Sequence, residues 1–168
     1  MKTLILSCLM LLPAWSVHAA ENPDAAFYKQ AAEGGLAEVQ LGDLARQKSG
    51  NDSVKEFGAM MVKDHSAAND KLKALAASKN IALPTGPGAA ATAEKAKLAA
   101  LGGTAFDNSF IKGMLKDHQD AVAAFNKEAS LGQDPDAVAF AKATLPTLKE
   151  HLNKIQSLAA SAGVNAKN

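Results

Sequence analysis

Residues 53–75 read SVKEFGAMMVKDHSAANDKLKAL. Ser53 and Glu56 have the spacing of a capping box, in which a hydroxyl and a carboxylate satisfy the first free amides of a helix. Behind them Gly58, Met61, His65, Ala68, Leu72 and Leu75 recur at alternating steps of three and four. That is the period of one α-helical face, so the segment predicts an amphipathic helix running to about Lys79. Its inward stripe is narrow and carries a histidine in the middle.

The pattern continues on both sides. Asn22-Pro23-Asp24 opens a helix that runs to about Lys48, capped by Gly50, with Phe27, Ala31, Gly34, Glu38, Leu41 and Ala45 on its stripe. Residues 83–88, LPTGPG, form a breaker-rich loop leading to a short amphipathic piece, Thr92 to Leu101, ended by Gly102-Gly103. Thr104 and Asp107 start a third long helix that stops at Gly132 and turns Phe110, Met114, His118, Ala121 and Phe125 inward. Asp134-Pro135 caps the last helix, which runs to about Ala162. Its stripe is Val138, Ala141, Leu145, Leu148, Leu152, Ile155 and Ala159, and Pro146 predicts a kink within it. Such stripes bury best in an antiparallel bundle with shallow crossing angles. The predicted fold is all-α: a four-helix bundle with a short extra connector helix.

Composition agrees with this reading. The chain has 168 residues, 48% hydrophobic and only 5% aromatic, enough for one domain with a core and better suited to helices than to strands. Met1-Lys2-Thr3, the apolar run Leu4–Leu12 and then Val17-His18-Ala19 have the form of a signal peptide cut after Ala19. The run is too short to span a bilayer. The expected organisation is a signal peptide at 1–19 and one bundle domain at 20–168, exported to the periplasm or associated with the outer membrane. The cut removes Cys8, the single cysteine, so the mature chain has no thiol for a disulfide or an iron–sulfur cluster. The apolar run before Cys8 is too short to mark it for lipidation. With 18 basic and 17 acidic residues and Arg46 as its one arginine, the chain lacks a basic patch for nucleic acid.

One repeat stands out. Phe57, Met61, Val62, Lys63, Asp64 and His65 match Phe110, Met114, Leu115, Lys116, Asp117 and His118 at a constant offset, and Leu148-Lys149-Glu150-His151 is a fainter third copy. His65 and His118 lie on stripes, His151 at the edge of one, and Glu38 on the stripe of the first helix. Four helices would each bring one metal-ligating group inward, as helical bundles do when they build metal sites. Met61 and Met114 precede His65 and His118 by one turn on the same faces, and thioether with imidazole suits copper. The structural reading of the same residues is a set of buried neutral histidines with methionines as core fillers. Asp64, Asp117 and Glu150 are turned about 100° from the histidines. They are expected to be solvated or paired with lysines, with orientation of a histidine on an adjacent helix as the alternative.

Enzymatic patterns are missing. A di-iron carboxylate bundle needs Glu-x-x-His on two helices, and the chain has none. No glycine elbow surrounds Ser66. Gly34-Gly35 reads as a place of close helix packing, and Lys71, Lys73 and Lys79 read as a solvated face.

Taken together, residues 31–42 (AAEGGLAEVQLG), Met61-Val62-Lys63-Asp64-His65 with Asn69, Leu83-Pro84, Phe106-Asp107, Lys116-Asp117-His118, residues 132–135 (GQDP), Leu145-Pro146 and His151-Leu152 resemble the domain-of-unknown-function 4142 family. The resemblance covers essentially the whole mature chain. It implies a ferritin-like bundle in exported bacterial proteins, often labelled outer-membrane proteins, and brings no established activity. The expected function is non-catalytic binding or sequestration of a transition metal (copper, iron or zinc). His65 and His118 would be the principal ligands, Met61 and Met114 soft auxiliaries, and Glu38 and His151 further members. The alternative is an envelope stress or interaction protein whose histidines are structural.

Overall fold

The computed structural model describes residues 22–164, so the signal peptide expected at 1–19 lies outside the described residues. Five helices follow in order: α1 (Ala25–Lys48), α2 (Asp52–Ser78), α3 (Gly88–Ala99), α4 (Gly103–Leu131) and α5 (Pro135–Ala162). All regular structure among the described residues is helical, as the stripes require. None of these helices is long and apolar enough to cross a membrane.

Helix α1 is capped at Asp24 and α4 at Gly102, each within two residues of the sequence expectation, and the starts of α2 and α3 also differ from it. The cap of α2 is Asn51, whose side chain accepts from the Ser53 and Val54 amides at 2.9 and 3.4 Å. Asn51 is in extended backbone, which lets its short amide reach forward, and so Ser53 falls inside the first turn. Helix α3 begins at Gly88 rather than Thr92. Thr92 lies inside the helix, where its hydroxyl donates back to the Gly88 carbonyl at 2.7 Å instead of capping an N-terminus. Helix α5 runs unbroken through Pro146 and ends on Gly163, whose left-handed φ of 67° suits glycine.

Two apolar clusters define the topology. One gathers Leu41 and Ala45 from the end of α1, Val54, Phe57 and Met61 from the start of α2, Phe106, Phe110 and Met114 from the start of α4, and Ile155 and Ala159 from the end of α5. The other gathers Phe27 and Tyr28, Leu72 and Ala76, and Ala137 and Phe140 from the opposite ends of α1, α2 and α5. Helices α1 and α5 therefore run one way and α2 and α4 the other. The hairpins α1–α2 and α4–α5 pack side by side, with α1 against α4 and α2 against α5. Because α2 and α4 run in the same direction, the connector must travel back along the bundle. Helix α3 does so over the groove between α1 and α4, held by a Lys95–Gln40 hydrogen bond of 3.1 Å.

The first hairpin is unusually close. A Cβ placed on Gly42 would lie 2.7 Å from the Gly58 carbonyl oxygen, and one on Gly58 would lie 2.5 Å from that of Gly42. At the far end Asp134 ties three helices together. It caps α5 through the Asp136 amide at 3.0 Å and accepts from Asn22 at 2.7 Å, Tyr28 at 3.1 Å and Lys79 at 2.9 Å. Although burial opposes its charge, Lys79 and Asn22 hold its carboxyl down at about 2.

One stripe needs correction. Gly34 is exposed, and the buried glycine is its neighbour Gly35, which lies directly under the Asn69 side chain of α2. A helix packed on two neighbours buries a wider arc than a single three-four stripe, and here Tyr28, Ala32, Gly35 and Gly42 are all inside.

Candidate metal centre

Between the two apolar clusters lies a polar layer. Helix α1 contributes Glu38, α2 His65, α4 His118 and α5 His151, each near the middle of its helix. His118 and His151 are 0% exposed, and Glu38 and His65 are 6% exposed. The sequence placed His151 at a stripe edge, whereas the fold puts it at the centre.

The three imidazoles form a nearly equilateral group. Ring centroids are 5.9 Å apart for His65–His118, 5.3 Å for His65–His151 and 5.5 Å for His118–His151. Phe57 floors the group, meeting His118 and His151 edge-on at 5.9 and 6.5 Å. Each ring also has one nitrogen tied to an acceptor. His65 donates from Nδ1 to Glu38 at 2.9 Å, His118 from Nδ1 to the Met114 carbonyl at 2.9 Å, and His151 from Nε2 to Asp64 at 3.0 Å. A carbonyl or carboxylate only accepts, so in each ring the proton must sit on that nitrogen.

The remaining nitrogens, Nε2 of His65, Nε2 of His118 and Nδ1 of His151, are buried and have no hydrogen-bond partner. One ligating nitrogen from each of the three rings lies within 4.8 Å of the others. Glu38 also approaches His118 Nε2, at 3.7 Å, too far for a hydrogen bond. A buried polar atom left unpaired costs about 1–3 kcal/mol. Three of them on neighbouring rings in one helical core form a concentrated cost, which a shared cation would remove.

Electrostatics separate the rings. Burial alone would lower His65, but the Glu38 carboxylate outweighs it and raises its pKa. Burial works against the Glu38 charge as well, yet His65 and the other two rings hold its pKa below the ordinary value. His118 and His151 have no such full ion pair, and burial lowers both. Two of the three imidazoles are thus kept in the neutral form that ligates metals.

Met61 and Met114 are 0% exposed in the apolar cluster beside this layer. The contact between Met114 and His118 is made by the backbone carbonyl. Of the three acids that precede histidines, Asp64 orients His151 of another helix, the alternative noted for it in the sequence. Asp117 faces Glu94 and Glu38, and burial with those two negative neighbours pushes its carboxyl up to about 7. Glu150 pairs with Lys154 at 3.8 Å on the surface. The near-repeat is therefore not functionally symmetric, which no local motif reveals.

The model of a domain of unknown function, DUF4142, matches residues 11–158. The chain belongs to the DUF4142 family. Among solved structures, this DUF4142 chain is similar to a secreted-protein candidate of DUF305 from Streptomyces coelicolor. The TM-score is 0.75 at 14% identity, over 89% of this chain and 98% of that one. Such a likeness at low identity shows a shared helical fold. No curated protein matches the DUF4142 chain.

Proposed function

We propose that this protein is a non-catalytic, exported metal-binding bundle. In this reading His65, His118 and His151 hold one transition-metal ion, copper, iron or zinc, and Glu38 orients His65 or serves as a fourth ligand. The observation that carries it is the set of three buried, unpartnered imidazole nitrogens, each on a ring whose other nitrogen is already fixed. Metal-bound histidines use the same arrangement, with an acceptor holding the ring and setting its tautomer.

The spacing supports the reading. Nitrogens about 2.0–2.1 Å from a tetrahedral zinc lie about 3.3 Å apart, so rings whose nitrogens are within 4.8 Å of one another need only small rotations. Imidazole suits zinc, copper and iron. Met61 and Met114, one turn away on α2 and α4, are the soft auxiliaries a cuprous ion would recruit. Export, to the periplasm or outer membrane, rests on the signal-peptide form of residues 1–19 and on the secreted-protein assignment of the structural neighbour. The ferritin-like reading rests on the two side-by-side hairpins joined by a long connector.

The test is calorimetric titration of the mature protein with cuprous, cupric, zinc and ferrous ions. At least one is expected to bind more tightly than about micromolar, and the His65→Ala/His118→Ala variant is expected to lose that binding. Affinity unchanged in the double variant would refute the proposal. The edge-on packing of Phe57 against two imidazoles supports a second reading, an envelope stress or interaction protein whose histidines are architectural. On that reading the double variant melts lower with or without chelator.

A further inference from the structure

A cavity of about 330 Å³ lies between α1, α3 and α4 and reaches inward to Glu38 and His65. Much of its lining is apolar, Phe27, Leu41, Leu72 and Phe125 included, and Asp117 and Glu94 also line it. Glu94 hangs from the connector helix and lies directly on the α4 backbone at Gly113, one turn before Asp117. Of the other acids on the lining, Asp120 is paired with Lys116, and Glu33 is exposed beside Gly88. Among the described residues, neither Glu94 nor Asp117 has an ion-pair or hydrogen-bond partner. His65, 6% exposed and with its Nε2 unpartnered, lines the same cavity.

We propose that this cavity is the access route for a cation travelling to the three histidines, and that Glu94 and Asp117 form its outer station. The inference rests on the metal-binding reading above and extends it from where the ion sits to how it arrives. Two acids outside any salt bridge, Asp117 as a carboxylate once pH rises above about 7, concentrate cations beside a low-dielectric cavity and hold them only weakly. The imidazoles beyond them are neutral or borderline donors that keep a transition metal and have little hold on calcium or magnesium. Selection thus happens at the rings and capture at the acids. On the far side a separate cavity bordered by Glu56 and Glu150 ends against Phe57, whose ring packs edge-on against His118 and His151.

The test is stopped-flow uptake and release of Zn2+ by the whole mature protein at low ionic strength, read with a chromophoric zinc indicator. The Glu94→Gln/Asp117→Asn variant is expected to take up zinc at least about tenfold more slowly, with release slowed in parallel, and the difference should shrink at high salt. A Gly34→Leu variant tests the path without altering charge. Gly34 lines the cavity, and a Cβ there has nothing within 4 Å. A leucine should plug the passage and slow uptake while the metal-free melting temperature holds or rises, since it replaces a helix-weakening glycine. The control Asp43→Asn/Asp52→Asn removes the same charge elsewhere and should leave both rates as they are.

Uptake unchanged in both the acid pair and the plugged variant would overturn the route while leaving the metal site standing. Faster release with unchanged uptake would also overturn it, because the acids would then be part of the final site. If the unaltered protein takes up no zinc, copper or iron at all, the metal-binding reading itself fails, and the route with it.

Discussion

Asp64 on α2 accepts a 3.0 Å hydrogen bond from Nε2 of His151 on α5, and this leaves His151 Nδ1, buried and unpartnered, as the nitrogen free to ligate. One carboxylate thereby sets the tautomer and ring direction of a histidine that is distant in sequence. Removing it as Asp64→Ala is expected to weaken metal binding by about 10–100-fold, as loss of an acceptor behind a ligating histidine does. Asp64→Asn, which keeps an acceptor oxygen, should lose less. Calorimetric titration of both variants checks the order.

Glu38 has a different part, because His65 Nδ1 has no other acceptor at 2.9 Å. Glu38→Ala leaves that buried N–H unpaired and is expected to cost the metal-free protein about 1–3 kcal/mol. Glu38→Gln retains a carbonyl acceptor and should cost less. Urea unfolding in the presence of chelator measures both.

Histidine phase, helix number and helix order were legible in the sequence because period and punctuation are local signals. Glu38, His65 and His118 fell on stripes for that reason. What was not legible depends on partners distant in the chain. Asp64 sits off its stripe, yet it meets α5 because α2 and α5 are neighbours. His151 moves from a stripe edge to the centre because α5 packs on two helices. Gly34 and Gly35 exchange roles once Asn69 is seen to cover Gly35. Glu94 gains meaning only when α3 is laid over the groove between α1 and α4.

The hairpin glycines provide a paired test. Gly58→Ala drives a Cβ against the Gly42 carbonyl, and since backbone cannot swing aside the two helices must separate. The expected loss is about 1–3 kcal/mol. Gly34→Ala, with open space around its Cβ, is expected instead to gain up to about 1 kcal/mol from helix propensity. Thermal melting of the two variants should shift in opposite directions.

Glu128 gives the fold a pH dependence independent of the metal centre. It is buried beside Asp24 and Asp134, and burial with those negative neighbours raises its pKa from 4.5 to about 7. Between those values the folded chain holds a proton that the unfolded chain has released. Its contribution is therefore complete below about pH 4.5 and is lost as pH rises through about 7. Asp117 acts with the same sign, so the informative quantity is a difference. The melting temperature of Glu128→Gln relative to the unaltered protein, measured in chelator, should rise steadily from pH 5 to pH 8. A difference that stays flat would show that Glu128 ionises normally.

X-ray absorption at the edge of a stoichiometrically bound zinc or copper ion tests the metal centre most directly. The account predicts one ion per chain with three imidazole nitrogens at about 2.0–2.1 Å, a signal abolished in His65→Ala/His118→Ala. A first shell of oxygens alone, or an imidazole count that the double variant leaves unchanged, would contradict it.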